Sequence, residues 1–95
     1  MWFTYIIECD NGRLYTGITT DINRRWQEHC SGTRGARFFR TCRPERLVWL
    51  ETFSDRAQAS QREAGIKKMT RAQKLALLQQ PCSLPLPALV PIHEQ

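Results

Sequence analysis

The sequence contains no apolar run long enough to cross a bilayer and no closely spaced pair of cysteines. Its longest apolar stretch falls far short of the roughly 20 residues that a membrane-spanning helix needs. Cys9, Cys30, Cys42 and Cys82 form no CxxC motif, and His29 beside Cys30 fits no common zinc-ligand spacing. No signal-peptide pattern precedes the first strand-like segment. We therefore expect a cytoplasmic protein with reduced thiols and no membrane partner.

Acidic residues are scarce relative to basic ones. The 95 residues include 14 Lys and Arg against 9 Asp and Glu, which gives a net charge of +5, and 11 of the cations are Arg. Such a surface favours an anionic partner such as phosphate, because the planar guanidinium can donate two hydrogen bonds at once. A basic but otherwise ordinary soluble domain explains the charge equally well. The length allows one domain with a modest core, so any chemistry has to use a shallow surface or cleft.

Local patterns in the first third of the chain predict a β-hairpin followed by a helix. Residues 2–9 are rich in aromatic and β-branched side chains, Asn11-Gly12 is a typical hairpin turn, and residues 13–17 resume the strand pattern. Residues 19–21 supply N-cap candidates for a first helix that runs to about residue 30.

The patterns after residue 46 predict one strand and two helices. Residues 47–53 are mostly apolar on both faces, which predicts a strand in the centre of the sheet. Ser54 or Asp55 caps a second helix that runs to about residue 68, and Thr70 with Gln73 forms a capping box for a third helix that ends near residue 80. The predicted class is therefore α+β, with the order β-β-α-β-α-α.

The C-terminal segment differs from the rest in composition. Residues 81–95 hold four of the five prolines and show neither helical nor strand periodicity, which predicts an extended tail or a packed irregular arm. Its apolar residues argue against a fully solvated linker. We therefore divide the chain into one domain at residues 1–80 and a proline-rich tail at residues 81–95.

Three titratable residues occupy positions where an amphipathic helix would place apolar side chains. Arg25 and His29 share one helical face with Ile22 and Trp26, at i, i+3, i+4 and i+7 spacing. Glu63 takes the same kind of position on the second helix. Burying a lone charge is costly, so such groups are paired, hydrogen-bonded or bound to a metal. The pattern therefore indicates a functional site.

Two tyrosines on the predicted strands complete a set of five polar residues: Tyr5, Tyr15, Arg25, His29 and Glu63. Residues 15–17 read Tyr-Thr-Gly, Arg25 follows Tyr15 by ten residues, and His29 follows four residues later. This arrangement resembles the GIY-YIG nuclease superfamily, whose first signature tripeptide is matched only at Tyr5. The resemblance extends over about residues 3–78 and is closest to the small single-domain bacterial branch called YhbQ-like.

The resemblance implies a three-stranded antiparallel sheet flanked by helices and a metal-dependent endonuclease. Glu63 would hold one Mg²⁺ or Mn²⁺ ion, and Arg25 would clamp the scissile phosphate. Tyr5 would be the general base, with His29 beside it to accept or stabilise the phenolic proton, and Tyr15 would orient the water or the phosphate. No second acidic residue follows the family pattern, which disfavours a two-metal mechanism, and we expect no small-molecule cofactor.

Each of these residues also has a structural explanation. Either tyrosine alone is an ordinary strand residue, and the two could exchange roles. His29 could be a surface histidine near a helix C-terminus, and Glu63 could pair with Arg25 without any metal. Gly17 would let the backbone turn closely into the first helix.

Basic residues outside the motif predict a surface for nucleic-acid phosphates, with contacts at Arg24, Arg34, Arg37, Arg40 and Lys67. Arginine recurs at every third residue from position 34 to position 46, and Phe38 and Phe39 between them could stack on unpaired bases. The alternatives are a solvated loop whose two rings anchor the core and, for Lys67, a solvated helix face.

The functional prediction is a metal-dependent endonuclease that cuts branched or distorted DNA, as in DNA repair or recombination. A single small domain has few elements with which to read a groove, so we expect recognition of structure rather than of sequence. DNA is favoured over RNA, and the oligomeric state stays open. The first alternative is a non-catalytic nucleic-acid-binding module with the same fold. A second is a small interaction protein that uses the proline-rich tail.

Overall fold

The computed structural model describes residues 1–32, 36–80 and 86. Its elements are β1 (Trp2–Cys9), β2 (Leu14–Thr19), α1 (Ile22–Ser31), a 3₁₀ helix (Arg37–Arg40), β3 (Pro44–Phe53), α2 (Arg56–Lys67) and α3 (Arg71–Leu78). The strands form one antiparallel sheet in the order β2-β1-β3. The predicted α+β class and element order are confirmed. The tail lies outside the described residues except at residue 86, so its predicted boundary stays a prediction.

The strand β3 lies at an edge of the sheet, and the prediction that it is central is wrong. β1 is central, because it pairs with β2 on one side and with β3 on the other. β3 begins at Pro44, three residues before its predicted start. It is apolar on both sides because helices cover both faces of the sheet, and this pattern does not distinguish an edge strand from a central one. A register shift opposite Ile6 and Ile7 lets Leu47 and Leu50 join the same cluster.

Two hydrophobic clusters lie on opposite faces of the sheet. The cluster under α1 contains Tyr5, Ile7, Ile22, Trp26, Leu47 and Leu50. The cluster under α2 and α3 contains Ile6, Trp49, Ile66 and Leu77. Neighbouring residues of β1 enter different clusters because successive side chains of a strand point to opposite faces. The hydroxyl of Thr4 donates to the Ala59 carbonyl at 3.0 Å and ties β1 to α2.

Short polar side chains fix the starts of the three α-helices. Asp21 and Asp55 each accept a hydrogen bond from the backbone N–H three residues later, at 3.1 and 2.8 Å. The predicted capping box is confirmed: the Gln73 N–H donates to the Thr70 hydroxyl at 3.2 Å, and the Thr70 N–H donates to the Gln73 side chain at 2.9 Å. Gly32, at φ 75°, ends α1 in the left-handed conformation that favours glycine. These local signals set where α1 places its polar face.

The described cysteines are free thiols. They are Cys9, Cys30 and Cys42, whereas Cys82 lies outside the described residues. The Cys42 thiol contacts the sulfur of Cys9 at 2.7 Å, which joins the end of β1 to the segment before β3. Within the described part of the chain, no helix has both the length and the apolar character needed to cross a membrane.

Candidate active site

Gly17 makes room for the buried ring of Tyr5. The two residues are directly paired between β1 and β2. A Cβ atom at position 17 would lie 2.5 Å from the Tyr5 hydroxyl oxygen and 2.7 Å from its Cζ atom, closer than real Cβ contacts. The positive-φ glycines of the described residues are Gly12 and Gly32, so Gly17 is not required for backbone conformation. The lack of a side chain at Gly17 therefore leaves space for the Tyr5 ring, which differs from the predicted role of this glycine in a backbone turn.

The side chains of Tyr5 and His29 meet in the interior. The Tyr5 hydroxyl oxygen lies 2.8 Å from His29 Nε2, and the other ring nitrogen of His29, Nδ1, accepts a hydrogen bond from the Ala36 N–H at 3.3 Å. Burial, followed by the positive charge of Arg25, lowers the pKa of His29 to about 4. The ring is therefore neutral at pH 7 and carries its single proton on Nε2.

This tautomer fixes the direction of the hydrogen bond to Tyr5. Because Nδ1 of His29 is an acceptor, Nε2–H donates to the phenolic oxygen. His29 thus stabilises the Tyr5 oxygen as an acceptor and does not receive the phenolic proton. The hydroxyl proton of Tyr5 has to be directed elsewhere. His29 is buried, as the inward pattern of α1 predicted. The alternative of a surface histidine is therefore wrong.

The environment of Tyr5 favours the protonated phenol. Burial, followed by the proximity of Tyr15, raises its pKa well above the usual range, while the hydrogen bond and the charge of Arg25 act in the opposite direction. The side chain is 0% exposed. A general base at neutral pH requires a pKa near the working pH. The pKa of Tyr5 is shifted away from that value, which is the opposite of what its predicted role needs.

Arg25 lies beside the tyrosines on α1. Its Nη1 donates to Glu28 Oε1 at 3.0 Å, one helical turn further along. Burial lowers the pKa of Arg25, but its hydrogen bonds with Glu28 and Tyr5 outweigh that effect and raise it. The guanidinium is therefore charged and half-buried, with its partners holding it at the edge of the tyrosine pair. This is a suitable position for a group that binds phosphate.

Aromatic rings close the site on the side of the 3₁₀ helix. The ring centroid of Phe39 lies 4.4 Å from that of His29 and 4.9 Å from that of Tyr15, and the Phe38 centroid lies 5.4 Å from that of Tyr15. Both phenylalanines are half-buried, and Phe39 packs against the cluster under α1. These contacts support the alternative in which the two rings anchor the segment rather than stack on bases.

Glu63 lies on α2 and is half-buried. Burial is the main cause of the raised pKa of Tyr5, and the negative charge of Glu63 adds a smaller contribution in the same direction. Glu63 forms an ion pair with Lys67 at 3.4 Å, whereas Arg25 is paired with Glu28, so the predicted alternative of a Glu63–Arg25 pair is not what the structure contains. The structure thus brings Tyr5, Tyr15, Arg25 and His29 together from β1, β2 and α1, whereas Glu63 acts on Tyr5 electrostatically from α2.

The residues present fit a weakly held hard cation. Within residues 1–32, 36–80 and 86, no group of three or more His, Cys, Asp or Glu could hold a metal ion. Mg²⁺ commonly takes one or two carboxylates and completes its octahedral shell with water and substrate phosphate. The half-buried carboxylate of Glu63 suits such an ion, and most of the remaining ligands would come from water and phosphate.

The predicted nucleic-acid contacts lie on several elements. Arg24 on α1 and Arg37 and Arg40 on the 3₁₀ helix are exposed, and Lys67 is exposed while paired with Glu63. Arg34 lies outside the described residues. The three described arginines are therefore exposed to solvent, Lys67 already has a partner, and the nucleic-acid contacts stay a prediction.

Two contacts that position residues of the site were not predicted from the sequence. Glu28 follows Arg25 by three residues, a spacing that favours an ion pair on a helix and that could have been noticed. The Ala36 N–H, which fixes the tautomer of His29, leaves no side-chain signal, because the donor is a backbone group.

Known proteins resemble this chain over most of its length. The profile of the GIY-YIG catalytic domain matches residues 1–76. A UPF0213 protein from Desulfotalea psychrophila is 51% identical over 77 residues, which cover 81% of this chain and 70% of that protein. One from Syntrophus aciditrophicus is 47% identical over 78 residues, which cover 82% of this chain and 90% of that protein. The solution NMR structure of UPF0213 protein BH0048 from Bacillus halodurans is 39% identical, with a TM-score of 0.53, and the match covers 82% of this chain and 83% of that one.

Proposed function

Because this chain belongs to the GIY-YIG catalytic domain family, a nuclease superfamily, we propose that it is a divalent-metal-dependent endonuclease that hydrolyses phosphodiester bonds in DNA. One observation carries the proposal: the hydroxyl oxygen of the buried Tyr5 lies 2.8 Å from His29 Nε2, and its hydrogen bond with Arg25 brings a guanidinium to the same place. A phenol, an imidazole and a guanidinium at one place are costly to bury, and together with the carboxylate of Glu63 on α2 they would supply the groups that phosphodiester hydrolysis needs.

Arg25 is the group that binds the scissile phosphate. A guanidinium offers two parallel donors to phosphate oxygens and keeps its charge throughout the reaction. Its present partner, the half-buried Glu28, holds the side chain in place and would exchange for phosphate when substrate arrives. Glu63 is the carboxylate that would hold the metal ion, which when bound supplies a Lewis acid that offsets charge on the phosphate.

Burial distinguishes the two tyrosines. Tyr5 is fully buried and accepts hydrogen bonds from His29, so we assign it to positioning rather than to contact with the attacking water. Tyr15 is half-buried, lies against His29, and its hydroxyl is near enough to Arg25 to affect that residue electrostatically. We therefore assign to Tyr15 the proton transfer from water, which exchanges the roles predicted from the sequence.

The proposed substrate is DNA with a branch, a flap or another distortion, as in DNA repair or recombination. The three α-helices of the described residues each pack one face against the sheet, which favours recognition of structure rather than of sequence. The excess of arginine favours the phosphate backbone. Strong selectivity for one duplex sequence would contradict this part of the proposal.

The test is cleavage of labelled duplex, single-stranded, flap and four-way-junction DNA, with matched RNA substrates, in the presence of Mg²⁺ or Mn²⁺. Tyr15→Phe and Arg25→Ala are each expected to slow cleavage by about 10²-fold or more, and Tyr5→Phe by less. Arg56→Gln, on the first turn of α2, is the charge-matched control and should retain activity. Equal rates for Tyr15→Phe and the wild type would refute the role given to Tyr15.

A non-catalytic nucleic-acid-binding module is the second candidate. One observation favours it: the carboxylate of Glu63, the predicted metal ligand, already forms an ion pair with Lys67. It predicts salt-sensitive binding of nucleic acid, without cleavage in Mg²⁺ or Mn²⁺, for the wild type and Glu63→Ala alike. Metal-dependent cleavage that is lost in Glu63→Ala would exclude it.

A further inference from the structure

A groove with a basic lining lies between the β1–β2 hairpin, the 3₁₀ helix and α3. Its volume is about 210 Å³, and the described residues that line it are Arg13, Leu14, Phe38, Arg71 and Lys74. None of these side chains is acidic. Among the described residues, none of the three cations is in an ion pair with a carboxylate, in contrast to Arg25, Arg46, Arg62 and Lys67. The groove therefore presents three cations that form no ion pair with a carboxylate of the described residues.

Protein contacts hold two of these cations in place. The guanidinium carbon of Arg13 lies 4.8 Å from the centroid of the Phe38 ring, a cation–π contact. Arg71 donates through Nη2 to the Gly12 carbonyl of the hairpin turn at 3.1 Å. Lys74 follows Arg71 by one turn of α3, on the same side of the helix. The charges are thus arranged around one groove rather than spread over a freely moving surface.

The groove adjoins the candidate active site. Phe38 forms one wall of the groove, and its ring centroid lies 5.4 Å from that of Tyr15. A strand whose phosphate lies at Arg25 and Tyr15 would therefore reach the groove by passing the 3₁₀ helix. Three cations that line one groove next to the site match the repeated charges of a polynucleotide strand better than they match a single small anion.

We propose that this groove binds the phosphodiester backbone of the nucleic-acid strand that flanks the scissile phosphate. Arg13, Arg71 and Lys74 contact successive phosphates, and Phe38 holds the Arg13 guanidinium in position. The inference rests on the proposed function, since it takes the same substrate. It adds three binding residues that lie on the hairpin and on α3, beside the 3₁₀ helix but outside the predicted set of contacts.

The test is the salt dependence of DNA binding, measured by fluorescence anisotropy in EDTA so that no cleavage occurs. The variants are Arg13→Gln, Arg71→Gln and Lys74→Gln. Each lost phosphate contact should reduce the slope of log K against log salt by about 0.9 for duplex, or about 0.7 for a single strand. When NaCl rises from about 50 to about 200 mM, the factor by which affinity falls should then be about 3 times smaller for each variant than for the wild type.

Arg56→Gln is the matched control. Arg56 is exposed, carries the same charge and stacks over Trp2 at 5.6 Å, so its substitution removes the same charge and the same kind of aromatic contact at the other end of β1. Its salt slope should equal that of the wild type. Phe38→Leu keeps the charge of Arg13 but removes its aromatic support, and it should weaken binding less than Arg13→Gln does.

The outcomes separate the groove from the nuclease. A slope of log K against log salt that is shallower than the wild-type slope for the three groove variants, but unchanged for Arg56→Gln, supports binding of the strand in the groove. This holds even where no substrate is cleaved. Equal slopes for all four variants would overturn it and attribute binding to net charge, whatever the cleavage assay shows. Absence of DNA binding by the wild type would also overturn it. Thermal melting of each variant confirms folding, since all four substituted cations are on the surface or half-buried.

Discussion

Acid should destabilise the folded protein through His29. This side chain is 1% exposed and is held between the Tyr5 hydroxyl and the Ala36 N–H. The second contact requires an unprotonated Nδ1, so protonation of the ring would break it and would place a cation beside Arg25. The folded state therefore resists proton uptake at this residue.

The size of the effect follows from two pKa values. Burial and the charge of Arg25 lower the pKa of His29 from 6.5 to about 4 in the folded protein. As the pH falls below 6.5, the unfolded chain binds a proton that the folded protein does not, so the free energy of unfolding decreases. The stabilisation from this residue is complete above pH 6.5 and is lost between pH 6.5 and about 4. At about 1.4 kcal/mol for each tenfold change in affinity, the loss approaches about 3 kcal/mol, a large part of a typical domain's stability of roughly 5–15 kcal/mol.

Urea unfolding of the wild type and of His29→Gln at a series of pH values isolates this contribution. Glutamine can still donate an amide N–H towards Tyr5, but it does not titrate. Carboxylates titrate in both proteins, so the difference between the two stability curves reports His29 alone. The wild type should lose up to about 3 kcal/mol more than His29→Gln between about pH 7 and pH 4. Parallel curves would refute the assignment of a buried neutral histidine, whatever the offset between them.

Three further predictions concern packing and capping. Gly17→Ala should lower the free energy of unfolding by about 1–3 kcal/mol, because the new Cβ would lie 2.5 Å from the Tyr5 hydroxyl oxygen; an unchanged urea midpoint would show that the ring can move aside. Gly65→Ala should raise that free energy by roughly 0.5–1 kcal/mol, because it lies within α2 and nothing lies within 4 Å of its added Cβ; a lower melting temperature would contradict this. Thr70→Ala should lower the free energy of unfolding by about 1 kcal/mol because it removes the cap of α3, whereas Thr70→Ser should keep most of the stability that the cap provides. Equal melting temperatures for the wild type and the alanine variant would count against the capping box.

The elements that the sequence predicted correctly depend on contacts within a few residues. The hairpin follows from the Asn11-Gly12 turn, and the start of α3 follows from Thr70 and Gln73, all of which act on their immediate neighbours. The order of the strands does not follow from such signals. β3 is apolar on both faces because α1 covers one face and α2 with α3 cover the other, and this arrangement is set by contacts far apart in sequence.

The candidate site shows the same difference between features that local sequence predicts and features that depend on contacts far apart in sequence. The resemblance to the GIY-YIG motif implied that His29 lies beside Tyr5, and in the structure the Tyr5 hydroxyl oxygen lies 2.8 Å from His29 Nε2. The direction of the hydrogen bond to His29 depends on the backbone N–H of Ala36, and the raised pKa of Tyr5 depends on complete burial. Neither quantity is encoded in residue spacing, and both change the roles that the tyrosine and the histidine can take.

The most direct test of the central claim is single-turnover cleavage of a four-way-junction DNA as a function of Mg²⁺ concentration, with binding measured in parallel. The proteins to compare are the wild type, Glu63→Gln and the matched control Glu45→Gln, whose carboxylate is exposed on β3. The account predicts no cleavage in EDTA, cleavage that rises with Mg²⁺ for the wild type and Glu45→Gln, and loss of cleavage with intact binding for Glu63→Gln. Cleavage that persists in EDTA, or that survives in Glu63→Gln, would contradict a metal-dependent nuclease centred on Glu63.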